Sequence, residues 1–327
     1  MPVVPMSGPR ACIAGIAYAL PDCRRSIREL AHDGKLESDP ALLEEFGFSH
    51  VYVAGAETPY SLALKAAESV MEAKKAAPES VDALLYCGTP SVAFAAGGDA
   101  RESSEHLSTT RRFQYPATRL QYDLGLERAS TIALDQLACT SLFAAVRLAQ
   151  SLCAAGDAQR VLCVSSEFFP ACAGREAIFN CTSDAACALL VDATGERNRI
   201  LSSVQVTKGY YWDCDAMRNE IVASYFPTAR HVIAEALRRA DWDAADVSLV
   251  LPHNVSTRSW EILLGLIGIP RDRLWDRNIA RVGHTLAGDN FINLRDALDA
   301  GSVKPGDRLL LFSYGYGAHW TALTLGA

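Results

Sequence analysis

A long-range repeat constrains this chain more than any other feature. The stretch 156–165, Gly-Asp-Ala-Gln-Arg-Val-Leu-Cys-Val-Ser, is echoed at 306–313 by Gly-Asp-Arg-Leu-Leu-Leu-Phe-Ser. Each copy follows a helical pattern, reads as a strand, and leads to a second apolar strand, 183–191 in the first copy and 317–325 in the second. A unit repeated at this spacing points to a duplicated architecture in which two like halves face each other. Counting back seventeen residues from each shared Gly-Asp reaches Cys139 and Asp289, which therefore hold equivalent helix-start positions. The most polar, turn-rich stretch near mid-chain is 192–199, and it divides the chain into halves 1–195 and 196–327.

The rest of the chain keeps the same alternation. Short apolar runs at 82–86, 131–134, 160–164, 246–251 and 308–312 predict buried strands. Apolar residues at helical spacing predict helices over 59–76, 140–155, 227–240, 256–267 and 290–300, with Gly156 and Gly268 where C-caps belong. The fold class is therefore α/β. The segment 11–20, between Arg10 and Pro21, has the length of a secretory hydrophobic region, but its small alternating residues suit a buried first strand. A polar surface loop at a substrate entrance is expected over 101–118, and loops 88–98 and 171–181 are expected to set the width of any tunnel.

Composition narrows the function. With 31 Lys+Arg against 38 Asp+Glu the net charge is −7, and no basic cluster is available to neutralise phosphates, so nucleic acid is not expected as a partner. No uninterrupted apolar run approaches the roughly 18 residues of a membrane span. The ten cysteines lie in apolar segments without a Cys-x-x-Cys pair, which fits reduced thiols in a cytoplasm and predicts no metal site and no disulfide framework.

Several positions carry candidate chemistry. Cys139 opens the helix 140–155, where the macrodipole and the free first-turn N–H groups favour a thiolate and a developing oxyanion; the plainer reading is a buried structural thiol. His253 follows the strand ending at Leu251, at the carboxyl end where α/β sites gather, and is otherwise a loop histidine bonded to backbone. Asn254 fits the cap of the next helix. In the polar loop 281–290 stand His284 and Asp289, the latter either a helix N-cap or the carboxylate that orients His253. The Gly-spaced turn 313–320 permits close backbone approach to a ligand. It is not a nucleotide fingerprint, because no helix follows, and no P-loop, zinc-protease motif or Gly-x-Ser-x-Gly elbow is present.

Taken together, 13–21 ending in Leu-Pro, 115–125, Asp135-Gln-Leu-Ala-Cys139-Thr-Ser, Ser183-Asp-Ala-Ala-Cys-Ala-Leu-Leu and Leu251-Pro-His253-Asn254 resemble the ketoacyl synthase III enzymes of the thiolase fold and their acyltransferase relatives in natural-product biosynthesis. The resemblance implies a thiolase fold, two pseudo-symmetric αβαβα halves forming a five-layered sandwich, in a homodimer. It further implies that Cys139 accepts an acyl group from acyl-CoA or an acyl carrier protein with no other cofactor, with His253 beside it. By the same resemblance the backbones of Cys139 and Tyr316 hold the oxyanion, while Arg258 and Asn254 contact substrate.

One departure is informative. The condensing enzymes carry Gly-Asn-Thr where this chain has Gly283-His284-Thr285, so the amide that helps stabilise an enolate is missing. The expected activity is accordingly acyl transfer to a hydroxyl or amine of a small-molecule acceptor, with His253 as base, oriented by Asp289 or assisted by His284. Decarboxylative condensation by two histidines and a non-catalytic partner subunit are the alternatives.

Overall fold

The computed structural model describes residues 11–88, 114–170, 172–178 and 180–327. Its strands are β1 (Cys12–Ala19), β2 (Arg24–Ser26), β3 (His50–Tyr52), β4 (Ala83–Gly88), β5 (Ser130–Leu134), β6 (Arg160–Glu167), β7 (Glu176–Ala177), β8 (Asn180–Cys181), β9 (Ala185–Asp192), β10 (Arg199–Thr207), β11 (Leu249–Pro252), β12 (Arg308–Gly315) and β13 (His319–Gly326). Its helices are α1 (Ile27–His32), α2 (Pro40–Glu45), α3 (Pro59–Ala73), α4 (Pro116–Asp123), α5 (Ser141–Ala155), α6 (Arg218–Ala240), α7 (Thr257–Ile267), α8 (Arg277–Val282) and α9 (Asp289–Asp299).

Nine strands follow the order β11-β12-β13-β10-β1-β9-β6-β4-β5, and the two halves meet at one pair, Cys12 opposite Arg199. In the first half β5, β4 and β6 are parallel, and β9 runs antiparallel between β6 and β1. The second half repeats this with β11 and β12 parallel and β13 and β10 antiparallel. The counterpart of β5 has shrunk to a single parallel bridge between Val250 and Leu274, where Trp275 N–H donates to Val250 O at 3.0 Å. The repeat read at 156–165 and 306–313 is thus β6 and β12, each entered from a helix.

Strands buried on both faces send alternate residues to different cores. Leu85 on β4 and Leu309 and Leu311 on β12 face a central core shared with Phe143 of α5 and Phe291 and Leu294 of α9. The two helices touch through Phe143 and Phe291, whose ring centroids are 5.1 Å apart. Leu84, Leu162 and Leu190 face outward onto Leu62, Ala66 and Val70 of α3. Leu310, Phe312 and Trp320 face outward onto Val232, Ile233 and Ala236 of α6. Helix, sheet, paired central helices, sheet, helix: these are the layers of the thiolase fold. Residues 138–155 are long and apolar enough to cross a bilayer by length and composition, and they form the helix lodged between the two sheets.

The structure refines several expectations. Segment 11–20 is β1, paired with β9 and β10. Gly156 and Gly268 do cap α5 and α7, at φ 81° and 78°. Helix α6 starts at Arg218, well before the expected start at 227, because Ile221 is already buried there and Pro227 is carried inside the helix. The strand expected from 246 begins at Leu249, after a tight turn over Ala244–Asp246. The loop expected at 101–118 lies outside the described residues up to 113, and from Pro116 the chain is helix α4. Residues 89–98 of the other expected loop are also outside them.

Candidate active site

Between β5 and α5 the chain makes a sharp elbow. Gln136 and Ala138 take positive φ, 63° and 44°, and Cys139 sits in the tight turn Ala138–Thr140 that runs into α5. The second half bends alike: Leu286, the counterpart of Gln136, has φ 55°, and Asp289 opens α9 as Cys139 precedes α5. Equivalent elbows of a duplicated fold thus deliver a thiol and a carboxylate to one place. Cys139 is buried at 6% exposure and Asp289 is fully buried.

His284 stands between them. Its Nε2 lies 3.3 Å from Cys139 Sγ and its Nδ1 lies 2.5 Å from Asp289 Oδ2. The ring is held from behind by the first half, since His284 N–H donates to Cys181 O and its carbonyl accepts from Ser183 N–H, both at 2.8 Å. Burial alone lowers the proton affinity of His284, but the charges of Asp289 and Cys139 and hydrogen bonds to both outweigh it, so the imidazolium is held well above the usual histidine range. Asp289 also accepts from the N–H of Thr285 (2.6 Å), the Thr285 hydroxyl (2.7 Å) and the N–H of Asn254 (2.6 Å), which fixes its orientation.

His253, at the end of β11, is not the histidine that Asp289 orients. Its ring packs against Trp260, Phe312 and His284 at centroid distances of 5.9, 6.0 and 6.1 Å. Burial, then the charge of His284, push its pKa down to about 3 against the pull of Asp289 and the Phe312 backbone, so it is neutral. The expected arrangement is therefore corrected: Asp289 supports His284, and His284 partners Cys139. The reason is geometric, because Asp289 lies five residues after His284 on the same elbow and closes a local loop onto its ring.

Asn254, expected to bind substrate, is instead fully buried framework: its Nδ2 donates to Gly283 O at 2.8 Å and its Oδ1 accepts from Asn293 Nδ2 at 2.9 Å. Arg258 lies exposed on α7 beside Glu261 at 3.3 Å. Tyr316 lies in the turn between β12 and β13. One residue earlier, Gly315 comes so close to the elbow that an added Cβ would stand 2.6 Å from Leu137 O and 3.2 Å from Cys139 N. Ser313 Oγ donates to Cys139 O at 3.2 Å.

Two residues that the pattern did not single out complete the frame. Asn290 Nδ2 donates to Leu251 O and Phe312 O at 2.8 and 2.9 Å, and Asn293 Nδ2 donates to Pro252 O at 2.7 Å. They pin the ends of β11 and β12 beneath the site. Their signal was present as amides on the face of α9 that ought to be apolar.

Fold and site together define a thiolase-fold protein in which a thiol, an imidazole and a carboxylate converge in one buried place. Family models described as 3-oxoacyl-[acyl-carrier-protein] synthase III and its C-terminal part match residues 135–209 and 237–326. The chain belongs to the ketoacyl synthase III family. It is 24% identical to the beta-ketoacyl-[acyl-carrier-protein] synthase III of Aquifex aeolicus, with 88% of this chain and 90% of the relative covered. It is 27% identical to the synthase of the same name from Erythrobacter litoralis, with 96% and 98% covered. Its structure is similar to that of a 3-oxoacyl-[acyl-carrier-protein] synthase III from Aquifex aeolicus VF5 (TM-score 0.81, 22% identity, 97% of this chain and 100% of that one). It is also similar in fold to the acyltransferase ChlB3 (TM-score 0.83, 20% identity, 98% of each chain).

Proposed function

We propose that the protein moves an acyl group from a CoA or carrier-protein thioester, through acyl-Cys139, to a hydroxyl or amine of a small-molecule acceptor. The relay of Cys139 Sγ, His284 and Asp289, with links of 3.3 and 2.5 Å, carries this reading. With His284 protonated, the Cys139 thiolate attacks the thioester carbonyl and the oxyanion rests on the N–H groups of Cys139 and Tyr316. The carbon–sulfur bond to the carrier breaks and His284 protonates the departing thiolate. His284, now neutral, takes the proton of the acceptor as its oxygen or nitrogen attacks the acyl-cysteine, and the thiolate is regenerated beside imidazolium.

Acyl transfer to oxygen or nitrogen needs a base that takes a proton from the acceptor. Decarboxylative condensation does not, because loss of carbon dioxide itself supplies the carbanion. A histidine backed by a buried carboxylate is built for the first task. His253 is too weak a base for it, with its pKa pushed down to about 3, and serves as a neutral ring beside the reacting groups. Arg258 is proposed to contact the phosphates of the donor; its partner Glu261 is exposed and the pair is readily exchanged. We further propose a homodimer, formed through β5, an end strand of the sheet among the described residues.

Intact-protein mass after incubation with a panel of acyl thioesters, malonyl included, tests the reading. A retained acyl mass is expected on the native protein and not on Cys139→Ala. Asp289→Asn is expected to slow discharge to a hydroxyl acceptor by about 10²–10⁴-fold. Carbon dioxide release from a malonyl thioester with a carbon–carbon product would replace this reading by condensation, and absence of labelling by every donor would remove the enzyme reading altogether.

A further inference from the structure

The Gly-spaced turn 313–320 grips the Cys139 elbow at three points. Ser313 Oγ donates to Cys139 O, and the backbone of Gly315 lies against Leu137 O and Cys139 N. The third is a side chain outside the relay, His319, which opens β13 and is buried. Its Nδ1 lies 2.8 Å from the Thr207 hydroxyl at the end of β10. Gln205 Nε2 points at the same hydroxyl oxygen from 3.5 Å, so the Thr207 proton is free for Nδ1. A ring whose Nδ1 accepts carries its own proton on Nε2. Burial lowers the proton affinity of His319, and a hydrogen bond with the Gln136 backbone opposes this in part, so the ring is neutral. A backbone group that favours the imidazolium is an acceptor, here the Gln136 carbonyl.

Gln136 is where the elbow needs holding. Its φ of 63° and the 44° of Ala138 are left-handed values for residues with a Cβ, and such a backbone persists only where its surroundings over-determine it. Leu137 O is held from within the elbow, by Thr140 N–H at 3.0 Å and Thr140 Oγ1 at 2.7 Å. The preceding carbonyl, that of Gln136, is reached from the other half of the molecule by His319. Because a peptide unit is planar, fixing this carbonyl fixes the whole unit that leads into the elbow. The ring itself has little room to swing, since a Cβ added to Gly317 would stand 3.2 Å from Nε2.

We infer that His319 is a positioning residue for the nucleophile: held by Thr207 at Nδ1, it fixes the Gln136 carbonyl through Nε2–H and so keeps Cys139 Sγ in reach of His284 Nε2. The inference rests on the reading of Cys139 as the nucleophile and not on which acceptor takes the acyl group. What the ring protects is the 3.3 Å link between thiol and imidazole. A misplacement of about 1 Å at a reacting atom is enough to cost about 100-fold in rate.

Two substitutions separate the two ring nitrogens, because glutamine carries an N–H as far out as Nε2 whereas asparagine reaches only as far as Nδ1. In single-turnover loading from an acyl thioester, His319→Asn is expected to lower the maximal rate about 30-fold and to move the half-saturating concentration by less than about twofold. His319→Gln is expected to recover the rate to within about threefold of the native protein. Alkylation of Cys139 by iodoacetamide, located by peptide mass, needs no acyl donor; it is expected to be about tenfold slower in His319→Asn and close to native in His319→Gln, since a thiol moved off its imidazole loses thiolate character. Thr207→Val, at an exposed residue, frees the ring from the other side and is expected to slow both reactions about threefold, which decides the matter if the asparagine variant does not fold. Native rates in both His319→Asn and Thr207→Val, or equal losses in the asparagine and glutamine variants, overturn the inference. A native protein that is alkylated at Cys139 but loaded by no thioester overturns the acyl-transfer reading instead, and the alkylation rates then decide the role of His319 alone.

Discussion

His253 and His284 lie 6.1 Å apart between ring centroids, and burial lowers the proton affinity of both, yet they end on opposite sides of the usual value because only His284 touches a carboxylate. For His284 the folded value is raised, so the stabilisation it contributes is complete below the unfolded histidine value and is lost as pH rises through the raised one. For His253 the folded value is lowered to about 3, so acid protonates the unfolded chain first and stability falls as pH drops from about 6.5 toward 3. One proton taken up on unfolding gives a slope of at most about 1.4 kcal/mol per pH unit across that window. Replacing His253 by Phe, which suits a neighbourhood of Trp260 and Phe312, is expected to flatten that slope. Urea unfolding at several pH values between about 6 and 4 reads it, and an unchanged slope would mean that His253 is not held neutral in the folded state.

The elements explain why the thiol and the imidazole arrive together. Strand β12 ends against the elbow of Cys139, and the space between them is closed to any side chain at 315. Gly315→Ala places a Cβ 2.6 Å from Leu137 O and 3.2 Å from Cys139 N, both backbone atoms, so the elbow must move. A displacement of this kind next to the nucleophile is expected to cut the acylation rate by about 100-fold, with a smaller effect on thioester binding. Single-turnover loading at saturating thioester checks this, and a wild-type rate would show that the elbow gives way freely. Much of this frame was legible in the sequence. The paired Gly-Asp signals fixed β6 and β12, and counting back from them placed Cys139 and Asp289 at matching helix starts. The pairing of the histidines was not legible, because strand ends can be read from apolar runs but the direction of a ring depends on what packs behind it. For His284 that backing is the 181–184 segment of the other half. Asn290 and Asn293 left a signal, amides on the buried face of α9, but their partners are strand-end carbonyls that only the folded chain brings to them.

At the scale of the whole molecule, the central core draws on both halves through Phe143 and Phe291, while the sheet order leaves β5 at one end. An edge strand presents unpaired backbone groups, and proteins ordinarily cover, charge or shorten such an edge. Here β5 is five residues long, carries no charge from Ser130 to Leu134, and keeps Ile132 and Leu134 only half-buried. The strand also leads within five residues to Cys139, so whatever covers it braces the elbow. The proposed second copy, paired along β5, would answer both requirements, because a two-fold axis at the edge would join the two sheets and steady both Cys139 elbows at once. Ala133 is exposed on this strand, and an arginine there brings like charges together across the axis while leaving the subunit's own core untouched. Light scattering is expected to give twice the chain mass for the native protein and a single chain mass for Ala133→Arg, with slower acylation in the separated subunit. A native protein that runs as one chain at assay concentration, or an Ala133→Arg protein that keeps the doubled mass, would place the covering of β5 elsewhere and leave the elbow to stand without it.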